Sequence, residues 1–165
     1  MKMDCSKLTA ACSRIIVDGD PGAGKTTLAG KIANDLAYKV ISFDDYLPGD
    51  FEGEPKPYVD QIGYDALQKE ILASEEKIVI EGVLALKVLA KLNVRQDYHI
   101  FMKRYDGDIG WVFGQYLGER SRPPRDKFWQ EIVEYYKELK PFDICNLLLS
   151  RDILSGDACQ PVETE

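Results

Sequence analysis

The chain has 165 residues, 45% of them hydrophobic and 30% charged, which fits one globular domain and excludes a disordered or fibrous chain. Its 21 Lys and Arg against 28 Asp and Glu leave a net charge of −7, a poor balance for a general nucleic-acid binder, whose phosphate contacts need clustered cations. No apolar run approaches the roughly 18 to 20 residues of a membrane span, and Met1 to Cys12 lacks the apolar stretch of a secretory signal. A cytoplasmic protein with no nucleic-acid and no membrane partner is expected.

In chain order, Ile15-Ile16-Val17 is a β-branched run closed by Asp18-Gly19, a first strand. Lys25 to Tyr38 carries Leu28, Ile32 and Leu36 on one helical stripe. Val40 to Phe43 reads as a second strand, the Pro-, Gly- and acid-rich stretch Pro48 to Pro57 as a loop, and Tyr64, Leu67 and Ile71 as a short helix. Ile78-Val79-Ile80 is a third strand, Ala85 to Leu92 a helix, and Tyr98 to Met102 a fourth strand. Ile109, Val112, Phe113, Tyr116 and Leu117 predict a helical face that Gly107, Gly110 and Gly114 weaken. Ser121-Arg122-Pro123-Pro124 breaks the chain, and Phe128, Ile132, Tyr135 and Leu139 mark a further helix stopped by Pro141. Ile144 to Leu149 is a fifth apolar run, and residues 151–165 form a flexible tail. Strands alternating with helices predict βαβ units: one three-layer α/β/α domain over residues 1–150, with a five-stranded, mainly parallel sheet.

The four cysteines, Cys5, Cys12, Cys145 and Cys159, form no CxxC pair, and His99 is the one histidine that could join them. Neither a zinc site nor a disulfide framework is expected. Cys145 lies in an apolar run, and His99 alternates along its strand as a core residue would.

Gly19-Asp20-Pro21-Gly22-Ala23-Gly24-Lys25-Thr26 fits G-x-x-x-x-G-K-[ST] and has the required context, a strand before and an amphipathic helix after. The glycines let backbone N–H groups turn inward around a phosphate, and the positive end of the helix dipole faces the same anion. Gly19, Asp20, Gly22, Ala23, Gly24, Lys25, Thr26 and Thr27 are thus the expected nucleotide-binding residues, with Lys25 reaching the β- and γ-phosphates and Thr26 a Mg²⁺ ligand. No N-K-x-D guanine signature occurs, so a small kinase using ATP and Mg²⁺ fits the length best.

Phosphoryl transfer also needs an acid for the metal, a proton acceptor and cations to meet the developing charge. Asp44 and Asp45 follow the second strand and Glu81 ends the third, at the end of a parallel sheet where ligands bind. Arg120 and Arg122 lie in a proline-bounded segment between two helices, around residues 118–127, the form of a lid.

With these pieces the chain resembles the uridine kinase and phosphoribulokinase group of P-loop kinases. The likeness lies in Gly19 to Thr26, Ile41 to Tyr46, Ile78 to Leu86 and Glu119 to Arg122, within a span from Arg14 to Leu149. The resemblance implies a P-loop NTPase-type fold, with Asp44 as general base and metal contact, Glu81 supporting Mg²⁺, and Arg120 and Arg122 clamping the ATP phosphates. It assigns Asp45, Tyr46 and Asp60 to the acceptor side, and implies a small-molecule phosphoryl acceptor, first a nucleoside. Two departures concern that side: Ile109 to Leu117 carries no arginine, and Ala73 to Glu76 runs straight into the third strand with no inserted hairpin. A sugar, vitamin or antibiotic acceptor, or a silent nucleotide-binding regulatory module, therefore stands as the alternative. A homo-oligomer is allowed but not specified.

Overall fold

The computed structural model describes residues 12–49, 56–74, 77–152 and 160–161. Its sheet is built on β1 (Arg14–Gly19), whose Ile15, Ile16 and Val17 are fully buried because layers cover both faces. β3 (Ile78–Glu81) and β4 (Tyr98–Asp106) flank β1, β2 (Lys39–Ser42) lies outside β3, and β6 (Leu147–Asp152) outside β4. These five strands pair in parallel, as the sequence predicts.

Alternation along the strands sorts the core into two layers. Ile15, Val17, Val79, Ile100, Met102 and Leu149 pack with Leu28, Ala29 and Ile32 of α1 (Lys25–Leu36). Ile16, Ile78, Ile80, Phe101 and Leu148 pack on the opposite side with α3 (Tyr64–Ala73), α4 (Ala85–Leu92) and α5 (Lys127–Leu139). Fully burying each such aliphatic side chain stabilises the fold by about 1.5–3 kcal/mol. Short helices α2 (Tyr58–Gln61) and α6 (Pro141–Ile144) complete the connections.

The structure corrects the sequence reading in four places. No α-helix covers Ile109 to Leu117: β4 runs on to Asp106, turns, and pairs antiparallel with β5 (Gly110–Trp111), followed by a 3₁₀ turn, Gly114–Tyr116. The apolar residues there serve aromatic packing instead, Trp111 meeting Phe142 edge-on at 5.1 Å and Phe113 meeting Trp129 at 4.8 Å, while Ile109 is 58% exposed. The fifth strand begins at Leu147 rather than Ile144, which belongs to α6 and is exposed. Residues 151–152 belong to β6, and β7 (Gln160–Pro161) pairs antiparallel with it, so among the described residues the sheet has seven strands and this part of the tail is paired. The second strand stops at Ser42, where its partner β3 ends, and Phe43–Tyr46 forms a 3₁₀ turn that carries Asp44 and Asp45. Cys5, Cys159, most of the Pro48 to Pro57 loop and the Glu75-Glu76 junction lie outside the described residues.

Candidate functional site

The loop from Gly19 to Thr26 joins β1 to α1 at the carboxyl edge of the sheet. Gly19 has φ +137°, and a Cβ there would collide with the Met102 carbonyl, so β4 can pass this close only beside glycine. Gly24 has φ +88° and opens α1 with no side-chain cap, which leaves first-turn N–H groups available to an anion. Lys25 is buried, and its ammonium donates to the Asp20 carbonyl at 2.8 Å. Burial pushes its pKa down, while the charges of Asp18, Glu81, Asp20 and Asp44 oppose that fall.

Two carboxylates hold this loop in place: Asp18, which the sequence reading left without a role, and Asp20, which it counted among the nucleotide-binding residues. Asp18 accepts hydrogen bonds from its neighbour Gly19 N at 2.7 Å and from the Tyr135 hydroxyl, and His99 Nε2 lies 3.6 Å away. Asp20 accepts from Arg104 N at 2.7 Å, Trp111 Nε1 at 2.7 Å and the Tyr136 hydroxyl at 2.6 Å. Burial pushes the Asp20 pKa up to about 6, against the opposing effect of these donors and of Lys25. Asp20 therefore serves the loop through its backbone, its side chain being turned toward α5 and β5. Adjacent tyrosines of one helix thus tether alternate residues of the phosphate-loop strand, a pairing that no local sequence signal announces.

The acids at the strand ends gather beside Lys25. Glu81 Oε1 accepts from the Thr26 hydroxyl at 3.1 Å and the Ser42 hydroxyl at 2.6 Å, which ties β3, α1 and β2 together at one carboxylate. Asp44 is exposed, and its Oδ1 accepts from the buried Tyr58 hydroxyl at 2.8 Å. Glu131 of α5 fixes that tyrosine, accepting from Tyr58 N at 2.7 Å and Val59 N at 3.2 Å. Tyr58 and Glu131 are site residues that the sequence reading missed.

The remaining expected residues are less closely assembled. Asp45 is exposed, and Tyr46 packs half-buried against the core. Asp60 pairs with Lys91 of α4 at 2.5 Å, an exposed ion pair. Arg120 and Arg122 are exposed in a segment without helix or strand that leads into α5, capped by Asp126, whose carboxylate accepts from Trp129 N at 2.9 Å. His99 is buried, as a core residue would be, and Cys12 and Cys145 are free thiols. Among the described residues no helix is long and apolar enough to cross a membrane.

No protein-family model matches the chain. It is 34% identical over 84 residues to a cytidylate kinase of Methanocorpusculum labreanum, an alignment covering 44% of this chain and 47% of that protein. It is 28% identical over 106 residues to cytidylate kinases of Saccharolobus islandicus, covering 62% of this chain and 47% of theirs. The chain spans about half the length of the curated relatives it matches. Among solved structures, a possible uridine kinase from Bacillus stearothermophilus superposes with a TM-score of 0.57 at 15% identity, over 87% of this chain and 94% of that one. A gluconokinase from Sinorhizobium meliloti superposes with a TM-score of 0.50 at 19% identity, over 86% and 82% of the two chains. The chain shares its fold with these P-loop kinases, and the resemblance read from the sequence is matched, at the level of the fold, by the possible uridine kinase.

Proposed function

We propose that the protein is a small-molecule kinase that transfers the γ-phosphoryl group of ATP to a hydroxyl of a nucleoside. The observation that carries this reading is the convergence of Lys25, Thr26, Glu81 and Asp44 at one edge of the sheet, around a loop with an uncapped helix start. Lys25 and the loop N–H groups bind the phosphates. Asp44, held by Tyr58, takes the proton of the attacking hydroxyl. Arg120 and Arg122 close over the phosphates from the lid and meet the charge that develops on the transferring group.

The donor set suits Mg²⁺, because the Thr26 and Ser42 hydroxyls and the Glu81 carboxylate are hard oxygen ligands gathered at one point. Thr26, Glu81 and Asp44 would hold the ion, which when bound neutralises charge on the β- and γ-phosphates.

A second reading draws on the relatives named cytidylate kinase: the acceptor is a nucleoside monophosphate. A phosphate acceptor is already ionised and needs no general base, so the two readings differ in what they ask of Asp44. ADP release measured with cytidine, uridine, CMP, UMP and a set of sugars separates them. Turnover on a nucleoside, abolished in Asp44→Asn, supports the first reading. Turnover on a monophosphate that survives Asp44→Asn supports the second, and tight ATP binding with no acceptor-dependent ADP release would leave a nucleotide-binding module.

A further inference from the structure

On the α1 side of the sheet, β4 presents Ile100 and Met102 and β6 presents Leu149, all buried. Two residues further on, the same rows continue into Arg104 and Arg151, which are register partners across the β4–β6 ladder. Strand alternation brings both side chains to the face on which α1 packs, at the end where that helix begins. The guanidinium of Arg104 lies against Gly22, an atom at the Cβ position of which would be 3.0 Å from its Nη1. That of Arg151 lies against Gly24, close enough that a Cβ there would collide with it. Two arginines from neighbouring strands thus converge on the phosphate loop.

This arrangement is costly without a ligand. Like charges directly opposite in a sheet repel, and among the described residues neither guanidinium is ion-paired to a carboxylate. Arg104 Nε is buried with no hydrogen-bond partner, a state that forgoes a charge-assisted bond. The backbone of Arg104 is pinned, its N–H donating to Asp20, which Trp111 and Tyr136 also hold. An anion at the loop would answer both the repulsion and the unmet donor.

We propose that Arg104 and Arg151 form a two-guanidinium clamp for the polyphosphate of the bound nucleotide, built into the sheet and in place before any lid closes. The proposal rests on the phosphate-loop reading above and adds the ligand class that the loop prefers. Guanidinium forks bind phosphate oxygens in pairs. Beyond the contacts of Lys25 and the loop N–H groups, two further forks add binding partners for a second or third phosphate and so favour nucleoside di- and triphosphates over monophosphates.

The test is equilibrium titration of the full chain with ATP, ADP and AMP, for wild type, Lys25→Ala, Arg104→Gln, Arg151→Gln and the lysine variants of both arginines. Each glutamine variant is expected to lose about 10- to 100-fold in ATP affinity, with AMP affinity changed far less and the lysine variants intermediate. Without nucleotide, the melting temperature of the glutamine variants should hold or rise, because the repulsion is relieved. An equal loss for ATP and AMP together with a lowered melting temperature would mark a structural role and overturn the clamp. If ATP binds wild type but is lost in Lys25→Ala and unchanged in both glutamine variants, the clamp alone falls. If ATP does not bind wild type at all, the phosphate-loop reading falls and the clamp with it.

Discussion

The phosphate-loop side of this molecule and the exposed elements that the proposed function gives to the acceptor and the lid are built differently. Around the phosphate loop every functional group is fixed by the sheet: Lys25 is buried, Glu81 joins three elements, and Asp18 and Asp20 are tied to α5. Away from the loop, Asp44, Asp45 and Asp60, and Arg120 and Arg122 of the proposed lid, are exposed, on a 3₁₀ turn, a four-residue helix and a segment without regular structure. Rigid placement suits a ligand part common to many reactions, the polyphosphate. Exposed, short elements suit the part that must admit a particular acceptor and then exclude water.

Disabling the rigid side gives the largest expected effect. Lys25→Met keeps bulk but removes the cation among four carboxylates, so ATP binding and turnover should be lost in titration and ADP-release assays. Its melting temperature should also fall, since Asp18, Asp20, Glu81 and Asp44 then share the site without the cation. If ATP affinity survived, the contrast between the two sides would have no basis.

Asp44→Asn tests the exposed side. It keeps the shape but cannot take a proton, so ATP should bind as before while transfer to a hydroxyl falls by about 10²- to 10⁴-fold. Asp45 leaves the 3₁₀ turn about 120° further round, so Asp45→Asn should cost much less. The reverse ranking in steady-state rates would assign the base to the wrong residue. Replacing both Arg120 and Arg122 by Ala should slow turnover while changing stability by less than about 0.5 kcal/mol, as for exposed charges. Parallel melting and rate measurements check this, and wild-type rates would reduce the lid to a solvated turn.

A pH dependence of stability is expected on the rigid side even without nucleotide. The Asp20 pKa is raised from 3.8 to about 6 in the folded protein. Between those values the folded state holds the proton more tightly, so this residue's contribution is greatest in acid and declines as pH rises through the window, by up to about 3 kcal/mol. Denaturant titrations from pH 4 to 7 should show that decline in wild type and its absence in Asp20→Asn.

How far the sequence could foretell this depends on the range of the signal. The five parallel strands, α1 and α4 follow local periodicity that agrees with tertiary burial, and the phosphate loop is a contiguous motif. The segment from Ile109 to Leu117 has helical spacing by accident: aromatic contacts to α5 and α6, distant in sequence, decide its shape. Asp18 with Tyr135 and Asp20 with Tyr136 are separated by more than a hundred residues, and Tyr58 meets Asp44 only because Glu131 holds α2. Arg104 and Arg151 did leave a trace, because Ile100-x-Met102-x-Arg104 and Leu147-x-Leu149-x-Arg151 repeat the same alternation with the charge at the same place.

The bond from the Trp111 indole to Asp20 makes the protein its own reporter. The chain contains two tryptophans, Trp111 and Trp129, and only the first donates to the phosphate loop. Trp129→Phe therefore leaves a single tryptophan, whose indole N–H rests on a carboxylate beside Lys25. Light emitted from that ring senses the electric field of the loop, and occupancy of the site can be followed in solution without attaching a dye.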